Sequence, residues 1–354
     1  MYSFIFLPFL ISFAHAKQLF SFENSNLERE IHAGYLQWEK KQEKWSFGMG
    51  VRNEWMWRNF MLKDRVGSVD TTYRYSYIRP FFSGNLSYQV REDLIWKLNF
   101  SQRVERETTF KMNPFPEREH SETLEQGDPN VLPEFIDLVE VGLVKNWEET
   151  SFFATLYYSR IQNLVNRVNT VYNDSILNRI YSNVGNARSL GIELGTDLAI
   201  HKNWKVFLGG NLYRYSIQGE FDQRTLNRAS WVYSFSATSS YALNASWSTQ
   251  VALSYLSKRV TAQGEDSRFY QPSFSVKKTW LAGRLALAFQ WQNLSFGLLD
   301  SNQQRISTWR ENEFYTTTNY IYEVDQLFLT LSYSLNGNRN RSKFVKSEFG
   351  EKEF

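Results

Sequence analysis

The sequence predicts an all-β protein, specifically an antiparallel up-and-down transmembrane β-barrel of about 13 strands, and three observations carry that prediction. First, extended segments of ~10–15 residues alternate apolar and polar side chains, whereas ordinary globular strands run about 5–6 residues and a tilted membrane strand needs about 9–11. Second, the polar side of these segments is Ser, Thr, Gln, Asn and Gly with occasional charges. Such residues line water and make a poor dry core. Third, short charged turns alternate with long polar loops, the asymmetry of a barrel with one periplasmic and one external rim. A soluble sandwich or solenoid is the competing all-β architecture; strand length and the chemistry of the polar faces argue against it. Unpaired backbone cannot face lipid, so the sheet is expected to close.

Composition agrees. The 354 residues allow one large domain or two ordinary ones. The net charge of +3 and the scattered basic residues exclude a nucleic-acid binder. There is no cysteine, hence no disulfide framework and no thiolate metal site. Aromatic residues make up 17% of the chain, and Trp and Tyr together outnumber Phe. Both have a flat apolar body and a polar tip, which suits the edge of a bilayer. Mean hydropathy is −0.48, and no stretch reaches the roughly 18–20 apolar residues of a spanning helix.

In chain order, residues 1–16 read M-Y-S-F-I-F-L-P-F-L-I-S-F-A-H-A, an apolar run ending small-x-small at Ala14, His15 and Ala16. That is the form of a cleavable signal peptide without its usual basic start, and a piece of barrel wall is the alternative. The barrel domain spans 17–336, and a charged tail follows over 337–354. The first strand is expected from Glu30 to Glu39, and the charged turn Glu39–Lys44 sends the chain into a partner from Trp45 to Trp57. There Trp45, Phe47, Met49 and Val51 oppose Ser46, Gly48, Gly50 and Arg52. After a polar loop, Arg58 to Thr71, Phe82, Leu86 and Tyr88 oppose Ser83, Asn85 and Ser87; Leu94, Trp96, Leu98 and Phe100 oppose Lys97, Asn99 and Ser101. A long loop, Arg106 to Leu132, leads to the strand Phe135–Leu143, which carries a carboxylate on each face, Asp137 and Glu140.

The later hairpins alternate more cleanly. Phe152, Ala154, Leu156 and Tyr158 precede a loop over 166–178. The returning strand opposes Leu190, Ile192, Leu194 and Leu198 to Gly191, Glu193, Gly195 and Asp197. Beyond the turn His201–Asn203, Trp204, Val206, Leu208 and Leu212 oppose Lys205, Gly209 and Asn211. The loop 219–228 and strands near 231–240, 247–255, 269–280, 285–292 and 327–335 complete the count.

Four segments invite comparison with a known family. Gly127-Asp-Pro129-Asn-Val-Leu-Pro133-Glu134, with Glu140-Val-Gly142, resembles the G-N-P-x-L-x-P-E…E-x-G signature of TonB-dependent receptors. Tyr181-Ser-Asn183-Val-Gly185-Asn-Ala187, with Gly191-Ile-Glu193, resembles their later Y-x-N-x-G-x-A…G-x-E. Ala33-Gly-Tyr35 and Gly50-Val-Arg52-Asn-Glu54 are similar to the A-x-Y…G-x-R-x-E hairpin of the outer-membrane β-barrel branch common in Bacteroidetes, and 284–294 and 327–335 to its closing hairpin. The resemblance implies a receptor barrel of twenty-two strands with an N-terminal plug, of which this chain supplies the C-terminal part without the plug. A self-contained barrel of about 12 or 14 strands is the alternative. It also implies an outer-membrane receptor for a scarce nutrient, a siderophore, cobalamin or a glycan. The implied surroundings are outer-membrane lipid and lipopolysaccharide, TonB where a plug is present, and a surface lipoprotein partner. A passive channel, or a structural or enzymatic barrel, are the competing functions.

Chemistry-bearing residues are few. His120 adjoins Ser121 among Glu117, Glu119, Glu122 and Glu125, but adjacency is not triad geometry, so no catalytic residue and no cofactor are expected. Glu117, Glu119 and Asp128 are weak candidates for Ca²⁺, without the regular spacing of a calcium loop. Glu193, Asp197, Lys205 and Arg284 are expected to face the lumen as a charged ladder. Trp45, Trp204, Trp231 and Trp247 are expected near the short turns, as an aromatic girdle.

Overall fold

A computed structural model describes residues 9–22, 25–63, 70–120, 123–173, 176–295 and 303–335. The alternating segments form strands: β1 Phe9–Phe22, β2 Ser25–Lys41, β3 Trp45–Lys63, β4 Asp70–Arg91 and β5 Leu94–Glu105. A short insert follows, with α1 Thr109–Met112, β6 Glu117–His120 and β7 Thr123–Gln126. Next come β8 Glu134–Asn146, β9 Ser151–Asn173, β10 Ile176–His201, β11 Trp204–Phe221, β12 Arg224–Ala242 and β13 Trp247–Leu256. The rest are β14 Arg259–Val260, β15 Gly264–Asp266, β16 Phe269–Trp280, β17 Leu285–Gln292, β18 Gln303–Arg310, β19 Phe314–Ile321 and β20 Gln326–Tyr333.

Fourteen of these make one antiparallel wall, in the order β1-β2-β3-β4-β5-β8-β9-β10-β11-β12-β13-β16-β17-β20. Among the described residues β1 and β20 do not pair with each other, so the wall is an open arc. The strand β14-β15-β18-β19 set forms a second small sheet, and β6 pairs β7, which runs parallel to the top of β10.

Alternation is realised as two chemically distinct faces. On β3, Trp45, Met49 and Trp55 are exposed on one side, while Glu54, Met56, Arg58 and Phe60 are buried on the other. On β10, Leu190, Ile192 and Leu194 are exposed, and Gly191 and Gly195 are covered. A contiguous exposed apolar belt of this size is a lipid face. Beside the short turns lie Trp45, Trp96, Trp147, Trp204, Tyr241, Trp247 and Trp280, with Trp45 stacked on Tyr88 at 4.1 Å between centroids. Trp231 departs from the expected placing: it pairs in register with Arg214, ten residues beyond Trp204, and so stands at the opposite edge of the belt. Ten residues at ~3.3 Å each, tilted by about 40°, span roughly 25 Å, the height of a membrane band.

The fourteen strands agree with the expected count of about 13, the additional one being Phe9–Phe22, which pairs with β2 along its whole length, Phe9 opposite Trp38 and Phe22 opposite Ser25. Two expectations are corrected. The segments 58–71, 166–178 and 219–228 are mostly strand: β3 runs on to Lys63, β9 to Asn173 and β11 to Phe221. Beyond the apolar belt the outer face need not be apolar, while single inner residues such as Leu62 and Val168 are buried under distant segments, so regular alternation is lost. The tip at Asp222-Gln223 has φ 51° and 61°, the left-handed pair of a tight hairpin turn. Finally, 106–132 is not an open loop but is folded inward and buried in part, with Met112 and Val131 fully enclosed. The charged tail 337–354 lies outside the described residues.

Candidate functional site

The rim of long connections is filled by the chain itself. The insert between β5 and β8 crosses the mouth and packs Met112 and Val131 against Leu27, Phe60 and Leu62 of β2 and β3, with Tyr73, Phe115 and Val165 around them. Burial of apolar surface holds it there, and buried charges orient it. Arg58 donates from Nη1 to the Val131 carbonyl at 3.0 Å, and its guanidinium lies 5.4 Å from the Tyr75 ring centre. Arg29 donates to the Glu107 carbonyl at 2.8 Å, and Lys111 pairs with the Glu107 carboxylate at 2.8 Å. Glu54, almost wholly buried, receives Arg106 and the Tyr77 hydroxyl on one oxygen and lies 3.4 Å from Arg52 on the other. Burial works against the Arg106 cation, but Tyr77 and the Glu54 carboxylate more than offset it and hold its pKa above the ordinary arginine value.

The motif residues form the second set of ties. The Asn183 side chain accepts from the Leu132 N–H at 2.8 Å and donates to the Leu132 carbonyl at 3.1 Å and the Asn163 carbonyl at 2.6 Å. Glu134 accepts from the Val165 N–H at 2.5 Å, and Asn163 donates to the Pro133 carbonyl at 3.2 Å. All of this centres on a bulge between β9 and β10, where Asn163 has φ 58° and Gly185 has φ 125°. A Cβ on Gly185 would strike the backbone of Gln218 and Gly219, so glycine permits both the conformation and the close approach. Gly127 is likewise pressed onto the backbone of Lys111 and Asn113. Pro129 lies in the turn where the Asp128 carboxylate accepts from the Asn130 N–H at 2.8 Å. Further down the wall, Glu140 is opposite Tyr157 and Asn99, Gly142 faces Thr155, and Gly191 lies under the Tyr157 ring and beside the Tyr213 Cβ. The first motif and Asn183–Gly185 therefore meet in space, while Glu140, Gly142, Gly191 and Glu193 line the barrel below.

A second cover comes from the small sheet. The Gln263 side-chain amide pairs with the Asn169 backbone, accepting at 2.6 Å and donating at 3.0 Å, as a neighbouring strand would. Ala262 is buried among Leu164, Val168, Val184, Ala187 and Ile217. Arg179 donates to Thr318 at 2.7 Å and Arg167 to the Tyr320 hydroxyl at 2.9 Å, so β19 lies over the β9–β10 hairpin.

The other predicted residues are dispersed. Asp197 is opposite Ser151 and Phe207, and receives the Ser151 hydroxyl at 3.3 Å. Glu193 is opposite Thr155 and Asn211, and Lys205 is opposite Ala199 and Ser240. Arg284 sits in the turn after the short 3-10 segment Leu281–Gly283, several strands away. Glu117 is opposite Glu125, and the Glu119 side chain, like the His120–Ser121 pair, lies outside the described residues. Among the described residues no three His, Asp or Glu side chains are grouped to hold a metal ion. The sequence reading missed Arg29, Arg58, Tyr77, Arg106 and Glu107. For Arg29 and Arg58 the signal was charge on the inward face of β2 and β3, which Arg52 and Glu54 flank within the quoted hairpin motif; Tyr77, Arg106 and Glu107 carried no such signal.

A membrane-height apolar belt with an aromatic rim, on a long antiparallel wall whose inner face holds a folded insert, is the architecture of an outer-membrane β-barrel wall. The chain belongs to the outer membrane protein beta-barrel family, whose model matches residues 20–333. No curated protein matches the sequence. Among solved structures the fold is similar to the copper transporter OprC, at 14% identity over 76% of this chain and 42% of that one, TM-score 0.55. It is similar also to the ferric yersiniabactin uptake receptor FyuA from Yersinia pestis, at 13% identity over 84% and 44%, TM-score 0.55. A third is the siderophore receptor PirA from Pseudomonas aeruginosa, at 14% identity over 84% and 57%, TM-score 0.52. The likeness is one of fold, and the chain spans only 42% to 57% of these proteins' lengths.

Proposed function

We propose that the chain is the barrel portion of a TonB-dependent receptor that imports a scarce nutrient, of the siderophore, cobalamin or glycan class, and that it performs no catalysis. The observation that supports this most is the inward-folded segment 106–133, tied to β3 and to the β9–β10 bulge by the receptor-like motif residues. A mouth covered in this way suits regulated entry better than free diffusion. The similar structures named as a copper transporter and siderophore receptors point the same way. TonB would act on a plug, and a surface lipoprotein would dock on the loops above. The ligand-discriminating residues are expected on the covers, in 106–132 and 257–268.

The test is uptake of labelled ferric siderophore, cobalamin and oligosaccharide by cells that carry or lack the gene, with and without TonB. TonB-dependent loss of one class is the expected result. Equal uptake of all three in both strains refutes the reading. The competing reading, a passive channel, is favoured by steady single-channel currents from the purified chain in planar bilayers.

A further inference from the structure

The outer surface carries a site of a different kind. A groove of about 550 Å³ lies on the lipid-facing side of β9 to β12, floored by Leu156, Leu190, Ile192 and Leu212. Arg188 and Arg214 line its upper end, and Arg160 stands directly opposite Arg188 in the β9–β10 register. Trp231, opposite Arg214, closes one side, with the Arg214 guanidinium 5.8 Å from its ring centre. Arg214 is ten residues above Trp204 of the lower aromatic rim, so the three guanidinia lie at the upper edge of the apolar band.

At the edge of the band arginines cost little, and there they sit at the depth of anionic headgroups. Among the described residues none of the three forms an ion pair. The adjacent carboxylate, Asp137, is opposite Arg160 but accepts from the amides of Gln102 at 2.8 Å and Gln162 at 3.4 Å. The Arg160 Nε is buried without a hydrogen-bond partner. Guanidinium forks fit phosphate oxygens, and the aliphatic floor beneath fits acyl chains.

We infer that this groove binds a phosphate-bearing, multiply acylated lipid of the outer leaflet, headgroup phosphate on Arg160, Arg188 and Arg214 and one chain along Leu190 and Leu212. The site is independent of what the barrel carries, so it stands or falls apart from the transport reading.

Native mass spectrometry of the purified full chain with lipid A bearing two phosphates or none tests it. The wild type is expected to retain the bis-phosphorylated lipid at least roughly tenfold more tightly than the dephosphorylated one. The triple variant R160Q/R188Q/R214Q should lose that preference. A control of equal charge loss at the opposite rim, K44Q/R91Q/K202Q, should keep it. Compact migration of unheated samples on gels reports folding. If the triple variant does not fold, Arg188→Gln alone is used, and the comparison of the two lipids on wild type needs no variant. Equal retention of both lipids by the wild type, or equal loss in the opposite-rim control, overturns the site.

Discussion

Leu190, Ile192 and Leu194 on the wall lie bare, whereas Leu27, Phe60, Met112 and Val131 at the mouth are entirely or almost entirely enclosed. The same residue types serve opposite ends. On the wall the lipid supplies the apolar contact, and each strand needs only its neighbour's backbone. At the mouth the chain must generate its own interior, and it does so by bringing 106–133 against strands far away in sequence. The wall should therefore respond to changes in side-chain polarity at a given depth, and the mouth to the loss of single buried partners.

Substitutions can break this contrast. The largest effect is expected from Glu54→Ala, which leaves Arg106 and Arg52 without their shared carboxylate. Removing one partner from a buried charged cluster costs about 3–5 kcal/mol. Hydrogen exchange of 106–133 should rise sharply while unheated gel migration stays compact; unchanged exchange would count against the latch. Next is Leu194→Arg at the middle of the apolar belt, expected to cost about 2–4 kcal/mol. Here the compact gel band itself should weaken, and an unchanged band would count against a lipid-facing Leu194. Asn183→Ala removes three hydrogen bonds to the Leu132 and Asn163 backbones and should cost about 1–3 kcal/mol. Protease cutting near Leu132 would reveal it, and resistance equal to wild type would show the ties to be idle. Smallest is Arg224→Gln, which breaks an exposed pair with Glu313 at 2.6 Å and should shift stability by less than about 1 kcal/mol.

The contrast also explains what could be read from the sequence. Between the rims, lipid and water impose a strict two-residue period, so Trp45, Met49 and the run Leu190–Leu194 were assigned to the correct face. Above the rims that demand ends. Residues 166–178 and 219–228 read as polar loops, because their outer face is polar and their few inner apolar residues, Val168, Phe221 and Leu226, meet a cover that is distant in sequence, yet they are hydrogen-bonded hairpins. The apolar run Phe9–Phe13 was ambiguous for the opposite reason: without alternation, strand and signal core look alike. Of the mouth, only the residues with backbone roles were legible, such as Gly127, Glu134, Asn183 and Gly185. Arg58 and Arg106 act across separations of 73 and 52 residues, and local pattern holds no record of such pairs.

The segment across the mouth has a geometric consequence. It is anchored at Arg58 on β3 and again at the Asn183 bulge on β10, with β4, β5, β8 and β9 between them. Such a piece is a chord, and a chord of fixed length sets the radius of the arc it subtends. Its two anchorages can be satisfied together only when those strands have taken the right curvature, which makes the insert a gauge for the shape of the barrel as well as its cover.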